Sequence, residues 1–491
     1  MSRTRKTSQL WTRWSAVLFV VLTCVYSEVV AVDGPAAGAA ATDHPFVITL
    51  SSHPQLFLDD HLISATINLK REAMQPETPS RNLHIEPEYP WEARRISYPV
   101  VLLDPDGSKW RMYYTAFADP NVRRDAVMCY AESDDGLHWR KPMLDIYPFG
   151  DSPVSNIVLG WDDEEPQFTH VIRMSDTSGK PFKALCHGRT GLVVTQSTDG
   201  VHWDPHRLIN DTKCDTIPSV VWHAPSQTYF AYTRAQAWHP EPPSYFRMTG
   251  VLQSANFINW TPKFAINLMT EEAGWPVTQI HDLQAYAYGD VLLASVATIT
   301  LDPPMAYIDK ANRRWSTQMA TSRDGWHWRP VLDRQKLPFW TRSLVVRDDV
   351  MYLYGAEFDL WMLPADRFVA MVQQDPESVG ILDTPPVRFD GSDLIVNADC
   401  DPDQLQVELI DEKGPVVQYQ SKPVPGFERG RSRLVRHDPL RYRVVWEAEG
   451  RTRRIADAAD HQPFVLRFIL KRGKLFAFQL SGSADAGGRQ E

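Results

Sequence analysis

Cysteine is scarce in this 491-residue chain, which has only five. Cys24 falls in an N-terminal leader, and Cys129, Cys186, Cys214 and Cys400 stand far apart with no CxxC or CxxH spacing. That excludes a cysteine-built metal centre and leaves at most one disulfide beside buried thiols. Basic charge is short as well: 51 Lys and Arg face 61 Asp and Glu, a net charge of −10. A nucleic-acid partner needs concentrated positive surface, so none is expected, and a neutral ligand suits the balance better. No apolar run reaches the ~20 residues that span a bilayer. A Gly-rich phosphate loop, an HExxH pair and a G-x-S-x-G elbow are all missing, which removes nucleotide, zincin and esterase chemistry and with them any cofactor. Glycine (25) is outnumbered by proline (37), a balance that favours many short, bounded segments over helical bundles.

What is present divides the chain into stretches. Residues 1–31 open with Arg3, Arg5 and Lys6 and continue through an apolar run at about 16–26 to small residues near Ser27 and Ala31, the pattern of a signal peptide, so the mature protein is expected to be secreted or periplasmic with no membrane partner. Residues 32–52 are rich in Ala and Gly at first and read as a linker. Tryptophan is abundant, with 17 copies, and four of them end a repeated phrase: 133–139 SDDGLHW, 197–203 STDGVHW, 254–260 SANFINW and 322–328 SRDGWHW. The starts lie 64, 57 and 68 residues apart. Each phrase has the chemistry of a tight turn, with an Asp or Asn to cap it, a residue at positive φ, and a Trp (Trp139, Trp203, Trp260, Trp328) to wedge between neighbouring units. Short alternating strands flank every copy.

A four-stranded unit repeated every ~65 residues is the mark of a β-propeller blade. The fold class is therefore all-β: a five-bladed β-propeller over residues 53–384, followed by a small C-terminal β-sandwich over 385–480 and a disordered tail at 481–491. The stretch 55–60 (QLFLDD) is expected to complete the last blade and close the ring.

Inner strands of a propeller begin at one shared mouth, and they are predicted near 97–103, 170–174, 217–222, 283–288 and 343–347. Acids at those starts, Glu92, Asp215 and Asp282, are the candidate catalytic groups, because glycoside hydrolysis needs one carboxyl to protonate the leaving oxygen and another to activate water or attack. Arg95, Tyr98, His170, Arg234, His281, Tyr286 and Arg342 are candidate substrate contacts, and Trp91, Trp275 and Trp340 candidate sugar-stacking platforms. Each has a structural alternative, such as a turn cap for Asp215, a bond between blades for Asp282, or an ion pair with Arg94 or Arg95 for Glu92. Asp104 and Asp106 read as turn residues at the opposite end of their strand.

Residues 56–63 (LFLDDHLI), 130–142 (YAESDDGLHWRKP), 322–328, 466–471 (LRFILK) and 475–478 (LFAF) resemble secreted bacterial proteins, of the kind found in planctomycetes, grouped with the glycosyl hydrolase family 32/43-like five-bladed propellers. The resemblance implies a carbohydrate substrate and a glycosidase. The better-known members carry a base Asp, a tuning Asp and an acid Glu on the first three inner strands. Here His170 and Asp215 stand where Asp and Glu are expected, and neither an NDPNG nor an RDP phrase occurs. The sequence thus leaves three readings open. One is a glycoside hydrolase acting by two carboxylates on a plant, algal or microbial polysaccharide or oligosaccharide. The second is a non-catalytic carbohydrate-binding propeller. The third is a sialidase-like exo-glycosidase with Arg95, Arg234 and Arg342 converging on one carboxylate.

Overall fold

The computed structural model describes residues 47–77, 83, 85–119, 121, 126–160, 168–175, 177–188, 190–211, 217–240, 243–266, 268, 278–301, 313–332, 337, 340–411 and 422–481. The expected signal peptide and residues 482–491 lie outside them. The fold is nearly all-β, and the helices among the described residues are short 3-10 segments such as Pro90–Glu92.

Five antiparallel meanders follow one another. Their strands are Arg95–Leu103, Trp110–Phe117, Ala126–Ser133 and Ile157–Leu159 in the first; Thr169–Arg173, Phe182–His187, Leu192–Ser197 and Arg207–Asn210 in the second; Ser219–His223, Thr228–Pro240, Pro243–Ser254 and Phe264–Ile266 in the third. Thr278–Tyr288, Val291–Leu301, Arg313–Ser322 and Arg329–Pro330 make the fourth, and Thr341–Arg347, Val350–Gly355 and Leu360–Pro364 the fifth. The first strands touch in a closed cycle, the fifth returning to the first. Each inner strand overlaps its predicted span.

These strands bury both faces, because every sheet packs against the next. Val291–Leu301 is buried at all positions but one, so it reads as a continuous apolar run rather than an alternating one. The apolar clusters fall between successive sheets: Val100, Tyr113 and Met128 against Val171 and Val193; Leu185 and Val194 against Val220 and Tyr229; Phe230 and Val251 against Leu283 and Leu292; Leu293 and Met319 against Met351 and Leu353; Tyr354 and Leu360 against Trp110 and Tyr114.

The repeated phrases form the turns after the third strands of the first four sheets. In the first, the Ser133 hydroxyl accepts the Gly136 amide at 2.9 Å, and Asp135 Oδ1 accepts the amides of Leu137 and His138 at 2.8 and 2.9 Å. The same pattern recurs at Ser197 and Asp199 and at Ser322 and Asp324. In the degenerate copy Phe257 takes the positive φ (64°) that glycine takes in the others. The turns lock adjacent sheets: the Tyr354 hydroxyl donates to the Gly136 carbonyl at 3.1 Å and that of Tyr232 to Gly325 at 2.8 Å, with Trp139 beside Tyr354, Trp203 beside Tyr113 and Trp328 beside Tyr232.

Two further sheets stack around one core. The first contains Phe464–Leu470 bonded to Leu405–Asp411 and Gly380–Asp383; the second runs Ser432–Arg436, Arg441–Ala448, Asp393–Asp399, Lys474–Ser481, Val369–Gln373 and Leu69–Ala73. Val407, Leu466 and Phe468 of one meet Val396, Val444 and Phe478 of the other. This module differs from its expected limits, since it recruits 48–73 and 369–383 as well as the stretch after 385. Gln55–Leu56 accordingly pairs with Ala477 and Phe478, and Phe57 joins the core of the module. The outer edge of the fifth meander is met instead by Glu77, which bridges Met362. The apolar residues of 55–60 are better buried between two sheets than at the rim of one.

Candidate functional site

Three of the five inner strands carry a bulge close to their starts, between Ser97 and Val100, Ile280 and Asp282, and Thr341 and Ser343. The residues set out of register are Tyr98, His281 and Arg342, each a sequence candidate, with Pro99 beside Tyr98. Tyr98 also adopts φ +61°, an unusual backbone for an aromatic residue. Bulges re-aim side chains and gather at functional sites.

The Arg342 side chain, fully buried, reaches across the ring centre. One guanidinium nitrogen bonds Gln284 Oε1 of the fourth sheet, and another donates to the Thr169 carbonyl of the second at 3.2 Å. Gln284 Nε2 in turn donates to the Ile217 carbonyl at 3.3 Å. Arg342 Nε has no partner among the described residues. Burial pulls its pKa down to about 10 against the opposing fields of Asp282, Tyr286 and Tyr98. This network closes the centre as a polar floor.

Above it, Asp282 is held from both sides. Its Oδ1 accepts Trp340 Nε1 at 3.1 Å, and its Oδ2 lies 2.8 Å from His281 Nδ1. The Asp282 side chain is only 1% exposed, whereas His281 is 20% exposed. The His281 ring packs edge-on to Trp315 at 4.6 Å and Trp340 at 6.3 Å. A carboxylate on one imidazole nitrogen sets the ring's orientation and tautomer. Arg234 donates to the His281 carbonyl at 3.3 Å.

On the opposite rim, Arg95 is exposed and lies over the Phe117 ring at 4.4 Å and Tyr98 at 5.6 Å. The loop 356–359 faces the same rim: the Tyr98 amide donates to the Ala356 carbonyl at 2.7 Å, and buried Phe358 packs edge-on to Tyr114. Anchored so, the loop presents Glu357 and Asp359. Burial raises the pKa of both; for Glu357 the charge of Arg95 opposes that rise and Asp359 adds to it.

Several candidates do not belong to this site. Glu92 is sealed in the core: it accepts the amides of Glu88 and Tyr89 and the Tyr114 hydroxyl (2.7, 3.2 and 2.6 Å) and pairs with buried Lys141 at 2.8 Å. It closes a 3-10 turn, a structural task that consumes its oxygens. Trp91 is buried, bonded to Asn156 at 2.8 Å and stacked on Tyr89. His170 accepts the Val220 amide at 3.3 Å, linking two inner strands; burial, aided by Arg342, lowers its pKa to about 3. Tyr286 is tied to Thr341. Arg95, Arg234 and Arg342 remain in the site but make different contacts, with the Phe117 and Tyr98 rings, the His281 carbonyl, and Gln284 with the Thr169 carbonyl respectively. Asp104 is a clamp, bonding Arg111 at 2.8 and 3.0 Å and Arg173 at 3.3 Å. Asp215 and Trp275 lie outside the described residues.

The sequence reading missed Trp315, Glu357 and Asp359, and also Trp238 and Tyr245, which pair edge-on at 5.2 Å near the end of the long hairpin of the third sheet. Trp238, Tyr245 and Trp315 are 57%, 58% and 52% exposed, which leaves their faces open to a ligand. The signal was present in the unusual length of those strands, 13 and 12 residues.

No protein-family model and no curated protein matches the chain. Solved structures similar to it include a glycoside hydrolase with 16% identity, covering 58% of this chain and 91% of that one at a TM-score of 0.40. Another is a structure from the GH130 family of mannoside phosphorylases, said to contain glycoside hydrolases that target beta-1,2 mannosidic linkages in Candida mannan (14% identity, 65% and 97% covered, TM-score 0.40). A third is a GH32 beta-fructofuranosidase of Bombyx mori (12% identity, 82% and 93% covered, TM-score 0.39). Likenesses this distant say nothing about activity, and the chemistry rests on the chain's own residues.

Proposed function

We propose that the chain is a secreted five-bladed β-propeller with a C-terminal β-sandwich, and that it hydrolyses a glycosidic bond at the mouth where the inner strands begin. The observation that carries this reading is the set of three bulges, which turn Tyr98, His281 and Arg342 out of register at the strand starts, with exposed Trp315 packed against His281. Aromatic faces bind the apolar faces of sugar rings, and flanking polar groups select hydroxyls. Asp282 is the fixed carboxylate of the pair, backing His281. Glu357, whose proton is retained to higher pH by burial, is the donor to the leaving oxygen. Asp215 is the other acid that the inner-strand pattern nominates.

A non-catalytic carbohydrate-binding propeller is the second reading, favoured by the depth of Asp282, 1% exposed. Turnover on a panel of polysaccharides separates the two. Hydrolysis should fall by about 10³-fold or more in Asp282→Asn if Asp282 serves the reaction. Full turnover by that variant overturns the assignment, and glycan binding with no released sugar from the unaltered protein establishes the second reading instead.

A further inference from the structure

A strip of arginine on the C-terminal module plays no part in the mouth. Residues 429–454 hold nine arginines, no lysine and three acids, in a chain whose net charge is −10. Among the described residues the strand Ser432–Arg436 ends its sheet and pairs with Arg441–Ala448 alone. Leu434 is buried toward the core, whereas Arg433 and Val435 are exposed, Val435 standing opposite Arg443.

Five of the nine are ion-paired, Arg431 with Glu428, Arg441 with Asp349, Asp366 and Asp438, Arg443 and Arg454 with Asp393, and Arg453 with Glu449, whereas Arg429, Arg433 and Arg436 have no ion pair among the described residues. Arg433 donates to the carbonyls of Gly430 (3.2 Å) and Ser432 (2.7 Å). Arg436 donates to the Tyr442 hydroxyl and the Pro439 carbonyl, both at 2.8 Å. These neutral acceptors orient the guanidinium groups without cancelling their charge. Arg429, in the 3-10 turn that leads into the strand, has no ion pair among the described residues, in contrast to Arg431, which pairs with Glu428 at 2.7 Å. Charge on an edge strand guards against sheet-to-sheet association, a task that lysine commonly performs. An all-arginine strip offers more, since each guanidinium binds a carboxylate or sulfate through two parallel bonds.

We propose that this strip binds an anionic polysaccharide, a chain bearing carboxylate or sulfate groups, at a site separate from the mouth. At ~3.3 Å per extended residue the strand Ser432–Arg436 spans about 13 Å, with Arg433 toward one face and Arg436 toward the other, so the charge flanks a narrow edge that suits a linear polymer rather than a flat surface. The choice of a glycan over other polyanions rests on the carbohydrate reading of the mouth; the positive strip does not. The partner of a protein with net charge −10 is thus anionic at this edge, against the neutral ligand that the overall charge suggests.

The test measures binding of the full chain to polygalacturonate and dextran sulfate, with neutral dextran, duplex DNA and anionic phospholipid vesicles alongside. The acidic polysaccharides should bind in a salt-sensitive manner and neutral dextran should not. R429S/R433S/R436S should weaken that binding by about 30-fold or more and reduce its salt dependence by roughly three ions, with R472S on a distant turn as the control. An unchanged melting temperature shows that the triple variant is folded. Asp282→Asn should bind the polymers as the unaltered protein does, so loss of the mouth reading leaves this result standing. The proposal is overturned if the acidic polysaccharides do not bind, if the triple variant binds them unchanged, or if DNA or vesicles bind as tightly.

Discussion

Under the proposed mechanism, Glu357 and the charge of exposed Arg95 set a working pH. Burial lifts the Glu357 carboxyl above its ordinary range and the Arg95 charge restrains it. A proton donor must hold its proton, so activity dependent on Glu357 falls as pH rises through its pKa. Arg95→Ala removes the restraint, the pKa climbs further, and the alkaline limb of kcat/KM should move to higher pH. Glu357→Gln should abolish that limb together with most of the turnover. A pH–rate profile in which Arg95→Ala leaves the limb in place, or moves it down, assigns the proton to another group. Arg95 stands out in the sequence at the start of an inner strand, whereas Glu357 does not. Glu357 sits in a four-residue connection between short strands, and only the anchoring of Phe358 and Ala356 turns that connection toward the mouth. Glu92 errs the other way: its position beside Arg94 and Arg95 at a strand start looks functional, but two amides, a tyrosine hydroxyl and a buried lysine occupy it. Sequence position locates an acid along the strand, while burial and partners decide its task.

At the scale of the element, the repeated turns are the most legible part of the chain, because their chemistry is local. Ser, Asp, Gly and Trp act within seven residues, and the bonds they make are nearly the same in each Asp-Gly copy. Their glycines are required twice over. Gly325 has φ +78°, and a Cβ there would lie 2.5 Å from the buried Phe230 ring. Gly325→Ala should therefore destabilise the protein by roughly 2–4 kcal/mol, combining left-handed strain with overpacking against the third sheet. Chemical denaturation measures it, and a cost under about 1 kcal/mol means that the turn and its neighbour relax freely. The bulges at Tyr98, His281 and Arg342 were not legible, since nothing local marks the residue that slips. Register is set by the partner strand, and a two-residue periodicity reads the same on either side of a bulge.

The whole molecule shows why the closing of the ring was misassigned. Residues 55–60 hold a short apolar run, Leu56 to Leu58, that reads as a strand, and any sheet with an open edge can accept it. The choice depends on contacts more than 400 residues away, between Gln55–Leu56 and Phe478 and Ala477. Lys474–Ser481 bonds to Asp393–Asp399 and Gln55–Leu56 and touches Val369–Gln373, which in turn pairs with Leu69–Ala73. A few residues beyond that last strand, Glu77 reaches the fifth sheet at Met362. The first inner strand meets the fifth through the Val101 amide, which donates to the Ser343 hydroxyl at 2.9 Å. Buried ties also join the modules directly: Arg441 pairs with Asp349 at 2.9 Å and Asp366 at 3.3 Å, and Tyr288 bonds Asp366 at 2.8 Å. With the C-terminal strand holding the N-terminal ones, and these leading into the ring's fifth sheet, neither module can open without releasing a strand of the other. Residues 46–491 should thus unfold in one calorimetric transition, although their size would ordinarily allow two. Removal of residues 474–491 should lower the melting temperature of the five-sheet ring as well as of the two further sheets, read as loss of the tryptophan signal from Trp139, Trp203 and Trp328 at the lower temperature. Two separated transitions in the intact chain, or a ring that melts unchanged after the truncation, show instead that the five sheets close without help from the strands beyond them.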